Sequence, residues 1–288
     1  MLNNFARRYS LEATRPNQKE VAALTELLPR GTPVYFSAVP TVTRDELVTA
    51  AALLRKAGLE PVVHIAARRI QAVADLQSLL AGLRGEADVR RLLVIGGDVD
   101  AAGPFVDAFS VIQRGRLREA GITEIGIGVY PEGHARIPSG RLEAALDEKI
   151  AAATVQGLAV HLVSQFSFSP ERILAWLGQL RAGGIALPVK VGMAGPTSMT
   201  ALLRYAKRCG VNASLRGLMS GAAPGLIGNV GPDHIIKTLS MAGGLGDLGD
   251  MAAHYFSFGG VLETARYARG VAEAESAATP VAARSQQI

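Results

Sequence analysis

The feature that most constrains the fold is a regular alternation of short, β-branched apolar runs with longer amphipathic stretches. Eight runs have the length of strands, at 8–13, 34–39, 61–66, 91–96, 125–130, 159–165, 188–193 and 253–258. Helical stretches separate them, at 18–29, 43–57, 69–84, 103–119, 139–156, 169–182 and 197–208, with further helix in 230–247. Eight β/α units in ~250 residues is the size of a TIM barrel, so we predict a single-domain (β/α)8 barrel. An open doubly wound sheet is the alternative, because it uses the same alternation.

The predicted barrel covers residues 1–271, and a C-terminal tail is expected over 272–288 that is either flexible or a loosely docked helix. The tail is rich in Ala, Ser, Glu and Gln, so it can bury little apolar surface. The connection between the seventh and eighth strands is long and rich in glycine. We expect it to form a loop with extra helices near the barrel mouth.

Composition and charge narrow the classes of partner. The 288 residues carry a net charge of +5, but basic neighbours such as Arg68 and Arg69 form pairs rather than runs. Aromatic residues make up 5% of the chain, which leaves little surface for stacking on bases. We therefore expect no nucleic-acid partner, whereas the mild positive potential suits an anionic ligand such as a diphosphate or a polyglutamate tail.

The sequence also bears on the compartment. No apolar stretch reaches the length of a membrane span, and the first residues lack the apolar core of a signal peptide. We expect a cytoplasmic protein with no membrane partner. The single cysteine, Cys209, excludes an intrachain disulfide and is interpreted as a structural thiol.

Several common functional motifs are missing from the sequence. No GxGxxG follows the first strand, and GxxxxGK[ST] and GxSxG do not occur, so the phosphate loops of Rossmann and P-loop proteins and the hydrolase elbow are absent. The five histidines are scattered and the cysteine is single, so no zinc-ligand spacing is seen and we expect no metal site.

Polar residues instead stand at the ends of successive predicted strands. Glu12, His64 and Gln165 lie at three strand ends, Tyr130 follows Gly128-Val129, and Asp98 follows Gly96-Gly97. The carboxyl ends of barrel strands meet at one mouth, where enzymes of this fold carry their active sites. The pattern predicts that these side chains gather there.

In order along the chain, these segments resemble the methylenetetrahydrofolate reductase family, flavin enzymes of folate metabolism. Its Tyr-Pro-Glu-x-His motif is matched in full by residues 130–134, and its Thr-Gln-Phe-x-Phe is similar to residues 164–168. Its first-strand Ser-Phe-Glu-Phe-x-Pro, its Arg-Gly-Asp after strand four and its Lys-Val/Ile-x-Ala are similar to 10–16, 96–98 and 149–152. The resemblance runs from about Ser10 to Gly260.

The resemblance implies an FAD-bearing barrel that interconverts 5,10-methylenetetrahydrofolate and 5-methyltetrahydrofolate by hydride transfer at flavin N5. Glu12 would be the general acid, and burial among apolar groups is expected to raise its pKa toward neutrality. Asp98 would lie between flavin and pterin and stabilise a cationic intermediate. The remaining implied residues are His64, Gly97, Tyr130, His134 and Lys149 for FAD, and Gln165, Phe166 and Met199 for the substrates.

Each of these residues also has a structural interpretation. Glu12 could form a salt bridge at the barrel end, and Asp98 could cap the helix predicted near Gly103. Gln165 could be a buried amide bonded to backbone, and His64 a core histidine whose hydrogen bonds are satisfied. His134 could be an ordinary surface residue.

Departures from the family pattern cluster around the electron donor and the folate tail more than around the isoalloxazine. Gly96 replaces the arginine before Gly-Asp, Ala38 a threonine, and Gly259-Gly260 an Asn-Arg pair. Met199 stands where well-known members place an aromatic residue over the nicotinamide nucleotide. We therefore expect weak use of NAD(P)H, and the family resemblance implies a homo-oligomer.

Two other functions are compatible with the same sequence. One is a different barrel enzyme, either a folate-dependent methyltransferase or a class I aldolase, for which Lys190 is the available strand lysine. The other is a non-catalytic barrel that binds folate or flavin.

Overall fold

The computed structural model describes residues 5–14, 16–36, 42–209, 211, 229–243 and 248–277. Eight parallel strands close into a barrel in the order in which they follow one another along the chain. They are β1 Tyr9–Ala13, β2 Pro33–Phe36, β3 Glu60–Ala66, β4 Arg91–Ile95, β5 Glu124–Val129, β6 Ala159–Ser164, β7 Val189–Ala194 and β10 Met251–Phe256. The predicted (β/α)8 barrel is therefore confirmed.

Helices surround the barrel between its strands. They are α1 Gln18–Leu27, α2 Arg44–Lys56, α3 Val73–Ala87, α4 Ala108–Arg114, α5 Ser139–Val155, α6 Pro170–Ala182, α7 Met199–Cys209, α8 Asp233–Gly243 and α9 Val261–Ala277. A short antiparallel pair, β8 Thr197–Ser198 with β9 Asn229–Val230, lies outside the barrel between β7 and α8.

Closure of the barrel pairs its first strand, β1, with its last strand, β10. Strand β1 pairs in parallel with both β2 and β10, and Glu12 lies opposite Tyr35 on one side and Phe256 on the other. Side chains alternate between the two faces of each strand. One set packs outward against the helices in the main hydrophobic core, while a small inner cluster of Tyr35, Val62, Leu93 and Val163 fills the barrel.

Helix starts follow the signals in the sequence. The hydroxyl of Thr43 accepts from Glu46 N, and the Glu46 carboxylate accepts from Thr43 N at 2.7 Å, which forms a capping box at α2. Ser169 caps α6, with Pro170 in its first turn. These two predicted starts are confirmed to within a residue.

Two helices differ from prediction. The helix predicted over 103–119 is only α4, Ala108–Arg114. Before it, Gly103 lies close to the connection between β3 and α3, where a Cβ would be 2.2 Å from Gln71 O. No helix was predicted over 261–271, but helix α9 covers those residues and continues through Ala277, past the expected domain boundary at 271. The rest of the expected tail, 278–288, lies outside the described residues, as does much of the connection after α7.

Candidate active site

The mouth of the barrel holds a carboxylate between two histidines. Oε1 of Glu12, on β1, lies 3.2 Å from Nε2 of His64 on β3 and 3.3 Å from Nε2 of His254 on β10. His254 makes a hydrogen bond there, whereas His64 makes an ionic contact that is not a well-aligned hydrogen bond. Both rings are buried, and Glu12 keeps 15% of its side chain exposed. The carboxylate can therefore meet a ligand at the mouth.

The other side of the His254 ring contacts β1 as well. Its Nδ1 lies 2.8 Å from the hydroxyl of Ser10, two residues before Glu12 on the same strand. Because an ionised carboxylate only accepts hydrogen bonds, Nε2 of His254 carries the proton given to Glu12. In a neutral ring Nδ1 then accepts from the Ser10 hydroxyl, so the carboxylate sets the tautomer and Ser10 satisfies the other ring nitrogen.

The expectation of a raised pKa at Glu12 is wrong. Burial by itself does raise the pKa of this carboxyl, but the charge and close contact of His64 and the hydrogen bond from His254 lower it more. The net result is a pKa well below the usual range for Glu12. Burial lowers the pKa of His254, and the bond to Glu12 offsets part of that effect. The resting pair at neutral pH is thus a carboxylate held by neutral His254.

A second polar chain lies deeper in the barrel. The Tyr35 hydroxyl lies 2.8 Å from Nε2 of His161, and Nδ1 of His161 lies 2.7 Å from Oε1 of Glu124. Arg91 contacts the other oxygen of Glu124 at 2.8 Å. Gly126 makes this arrangement sterically feasible, because a Cβ there would lie 2.9 Å from Nε2 of His161.

Asp98 lies just beyond β4, paired with an arginine from the end of β3. Nη2 of Arg69 is 2.6 Å from Oδ1 of Asp98, whose side chain is 57% exposed. The backbone of neighbouring Gly97 has a φ of +96°, and its carbonyl accepts from Arg68 at 3.4 Å. Asp98 does not cap a helix, since α4 is capped by Asp107. A cation therefore stands beside this turn although position 96 has lost its arginine.

The residues of the Tyr-Pro-Glu-x-His motif lie beyond β5. The rings of Tyr130 and His134 meet edge to face, 5.1 Å between centroids. Burial raises the pKa of Tyr130 and lowers that of His134. Lys149 lies on α5, where burial lowers its pKa and Asp107 partly counteracts that effect.

The predicted substrate residues lie around β6 and α7. The side-chain oxygen of Gln165 accepts from Phe166 N at 3.1 Å. Phe166 is buried and packs edge to face against Phe168, Phe256 and Phe258, so its ring belongs to an aromatic cluster. Met199 opens α7 and is partly buried against a cluster of Ala194, Leu202 and Ala206.

The mouth has open space above β4 and β5. A Cβ added at Gly96 would find no atom within 4 Å, and one at Gly128 would only meet Ile95 at 3.8 Å. The Gly97-Asp98 turn follows β4 and Tyr130 follows β5, so both come directly after the two strands that border this space. A flat ring can lie across strand ends that carry no side chains.

Lys190, the lysine considered for an aldolase, is at the wrong end of its strand. It is the second residue of β7, near the amino ends of the barrel strands, where it interacts electrostatically with Glu124 and Arg91. The Schiff-base interpretation required a lysine at the mouth, so the geometry contradicts it. Among the described residues, no group of His, Cys, Asp or Glu is arranged to hold a metal ion, and no helix is long and apolar enough to span a membrane.

Comparison with known families agrees with the order of these motifs. The family model for methylenetetrahydrofolate reductase matches residues 9–216, which is most of the chain and includes Glu12, His64, Asp98, Tyr130 and Gln165. The chain belongs to the methylenetetrahydrofolate reductase family. Membership makes it a folate-related barrel enzyme and agrees with an oxidoreductase class. His254 on β10 lies outside the matched range.

Solved structures of low identity share the fold. Dihydropteroate synthase from Thermus thermophilus in complex with 6HMPPP is 17% identical, with a TM-score of 0.50, and the match covers 93% of this chain and 92% of that one. Another structure of this synthase gives 18% identity and a TM-score of 0.48, covering 93% and 95%. A conserved Enterococcus faecalis protein of unknown function is 12% identical with a TM-score of 0.47, covering 91% and 65%. These likenesses concern the fold alone.

The sequence interpretation missed four polar residues inside the barrel: Ser10, Tyr35, His161 and His254. Each interrupts an otherwise apolar strand, as in Met251–Phe256 with His254 at its centre. Such lone polar residues on the inward-facing side of a strand were the available signal. Their pairing depends on which strands face one another across the barrel.

Proposed function

We propose that this protein interconverts 5,10-methylenetetrahydrofolate and 5-methyltetrahydrofolate as an FAD-dependent oxidoreductase. The observation that carries the proposal is the Glu12 carboxylate, partly exposed at the mouth and held by His64 and His254. Family membership over residues 9–216 supports the substrate class. The proposal retains the expectation of a homo-oligomer, which comes from the family resemblance, and of a cytoplasmic location, which comes from the sequence.

The residues at the mouth fit a flavin. Gly96 and Gly128 leave space for a flat ring, and the Gly97-Asp98 turn offers backbone beside it. Tyr130, His134 and His64 would border the cofactor, and Lys149 would act as a point charge for its diphosphate. The flavin supplies two-electron hydride chemistry at N5, while the protein supplies position and charge. Asp98 would contribute a negative charge to a cationic folate, moderated by Arg69.

Glu12 would deliver the proton that opens the folate ring at N10. Its carboxylate is ionised at rest, but a folate covering the mouth would remove the remaining solvent contact, which raises the pKa of a carboxyl. His254 donates to the same oxygen, so once the pair has taken up one further proton, that proton can reside on Glu12 beside neutral His254 or on His254 beside the Glu12 carboxylate. We propose that this pair, rather than an isolated neutral carboxyl, is the acid. Gln165 and Phe166 would border the pterin, and a carboxamide matches its donor and acceptor edge.

Two measurements test the proposed function. The purified chain is expected to show the visible absorbance of bound FAD, and 5-methyltetrahydrofolate added without oxygen should bleach it. A His134→Ala, Lys149→Ala double variant should lose flavin while keeping its far-ultraviolet circular dichroism. A colourless protein that cannot be reconstituted with FAD, or a bound flavin that methyltetrahydrofolate leaves oxidised, would overturn the proposal.

A further inference from the structure

A polar chain in the lower half of the barrel is not used by the proposed reaction. It connects Tyr35, His161 and Glu124 through contacts of 2.8 Å and 2.7 Å. Tyr35 and His161 are almost fully buried, and Glu124 is anchored by Arg91 at the amino ends of the strands. The contact with His161 lowers the pKa of Glu124, although Nδ1 of His161 is not aligned for a hydrogen bond to it. A carboxylate beside Nδ1 favours the proton on that nitrogen, which leaves Nε2 to accept from the Tyr35 hydroxyl.

The ring of Tyr35 contacts the histidines of Glu12. Its centroid is 4.8 Å from that of His254 at an interplanar angle of 75°, and 6.2 Å from that of His64 at 72°. Both are edge-to-face arrangements, which aromatic rings favour. The Tyr35 ring therefore contacts both imidazoles that hold Glu12, while the Tyr35 hydroxyl is hydrogen-bonded to His161.

We propose that Tyr35 is a positioning residue that holds His254 and His64 against Glu12, and that His161 and Glu124 anchor it. The proposal rests on the proposed function for its catalytic consequence, but the geometry of the pair can be tested without folate. Phenylalanine would fill the same space without a hydroxyl that must find a hydrogen-bond partner in a buried site. We therefore assign the Tyr35 hydroxyl an orienting role: its hydrogen bond to His161 sets the position and tilt of the Tyr35 ring against His254 and His64.

His254 has few other restraints. Ser10 binds its Nδ1 and Glu12 binds its Nε2, both from β1. Phe256 packs edge to face on the ring from its own strand, at 5.1 Å. Lys190 and His64 act on it electrostatically. Tyr35 is the neighbour that contacts the ring from the β2 side of the barrel.

The first experiment uses nitrogen-detected NMR of the histidine side chains in the full-length protein. In the unmodified protein we expect one tautomer at His254, with the proton on Nε2. Tyr35→Phe should release Nε2 of His161 and shift its resonances, and Tyr35→Leu should also broaden or average those of His254. Tyr255→Phe is the matched control, because this buried tyrosine faces the outer core and its hydroxyl has no partner among the described residues.

The second experiment measures reoxidation of the reduced bound flavin by 5,10-methylenetetrahydrofolate, the direction in which the acid must act before hydride transfer. Misplacing a catalytic group by about 1 Å can cost roughly 10²-fold in rate, so Tyr35→Leu should lose about that factor and Tyr35→Phe less. Flavin content and the concentration of folate giving half the maximal rate should change little.

The positioning role is wrong if His254 keeps one tautomer and an unchanged titration in both Tyr35 variants. It is also wrong if Tyr255→Phe perturbs the His254 resonances as much as the Tyr35 variants do. If the NMR changes occur and the rate is unchanged, the catalytic consequence is wrong. If the unmodified protein lacks the folate reaction, the NMR result still decides the positioning role.

Discussion

Glu12 is the residue whose substitution tests the proposed chemistry most directly. Glu12→Gln preserves size and hydrogen bonding but cannot donate a proton, and loss of general acid catalysis costs roughly 10²–10⁴-fold. We expect the folate half-reaction to slow by that factor while flavin content is preserved. Stopped-flow mixing of the enzyme carrying reduced flavin with 5,10-methylenetetrahydrofolate measures it, because in that direction the acid opens the ring before hydride transfer. Glu171→Gln, at the exposed start of α6, is the control. An unchanged rate in Glu12→Gln would exclude Glu12 as the acid.

Substituting two glycines of β5, Gly126 and Gly128, distinguishes a position that is tightly packed from a position that borders the proposed ligand space. Gly126→Ala would place a Cβ 2.9 Å from His161 and 3.0 Å from Leu93, and such overpacking costs about 1–3 kcal/mol of unfolding free energy. Gly128→Ala meets nothing closer than 3.8 Å, so it should preserve stability and weaken FAD binding. Urea unfolding and flavin titration of both variants measure these effects. Equal FAD affinity in Gly128→Ala and the unmodified protein would place the flavin elsewhere.

Some contacts of the candidate residues could be predicted from the local sequence, whereas the pKa of Glu12 could not. Glu12 and His64 were identified from strand ends and do meet, and Tyr130 meets His134 within one motif. The sign of the Glu12 pKa change was wrong because the sequence interpretation counted burial alone. The lowering comes from His64 and His254, which belong to other strands. A pKa depends on all near neighbours, so it could not be derived from β1.

At the scale of elements, strands were predicted better than helix boundaries. Barrel strands are short, apolar and bounded by turn residues, and all eight fall within a few residues of prediction. Helix α9 was missed because its polar, Ala-rich sequence resembles a tail. Its buried residues Val261, Ala265 and Ala268 are spaced to face β1 and α1. This apolar face is stabilised by packing against the barrel, so it could not be recognised from the local sequence alone.

The start of α7 bears on the electron donor. Met199, like Phe168 and Phe258, packs against the buried cluster of Ala194, Leu202 and Ala206. The family resemblance places at position 199 an aromatic that stacks on nicotinamide. Aromatic pairs contribute about 0.5–1.5 kcal/mol beyond area burial, and methionine recovers only part of this. Met199→Phe should therefore lower the apparent KM for NADH severalfold. Met241→Phe, on the exposed side of α8, is the matched control. Fast reduction of the flavin at low NADH in the unmodified protein would contradict the prediction.

For the whole molecule, the buried polar interior predicts sensitivity to acid. Burial lowers the pKa of His254 and of His161, so the folded state binds fewer protons than the unfolded chain below the unfolded histidine value of about 6.5. Their contribution to stability is present above that pH and is lost as the pH falls toward the folded values. The lowered pKa of Glu12 adds a loss below about 4.5. Each tenfold difference in proton affinity corresponds to about 1.4 kcal/mol.

Urea unfolding between pH 7 and pH 4 measures this sensitivity. The free energy of unfolding should fall as the pH falls, and His254→Asn should flatten the slope near pH 6. His234→Asn removes an exposed histidine of α8 and should leave the slope unchanged. Parallel pH profiles for His254→Asn and the unmodified protein would show that His254 is not buried in its neutral form.

The sequence by itself determined the alternation of strands and helices, and with it the barrel and the gathering of strand ends at one mouth. The period and length of the apolar runs are local properties, so they can be seen without the fold. Only the tertiary structure decided the environment of Glu12. His254 is 242 residues away in the chain and becomes its neighbour because β10 closes the barrel against β1. Tyr35 meets His161 across the interior for the same reason. These contacts depend on barrel closure and register, which are set by the packing of the whole sheet.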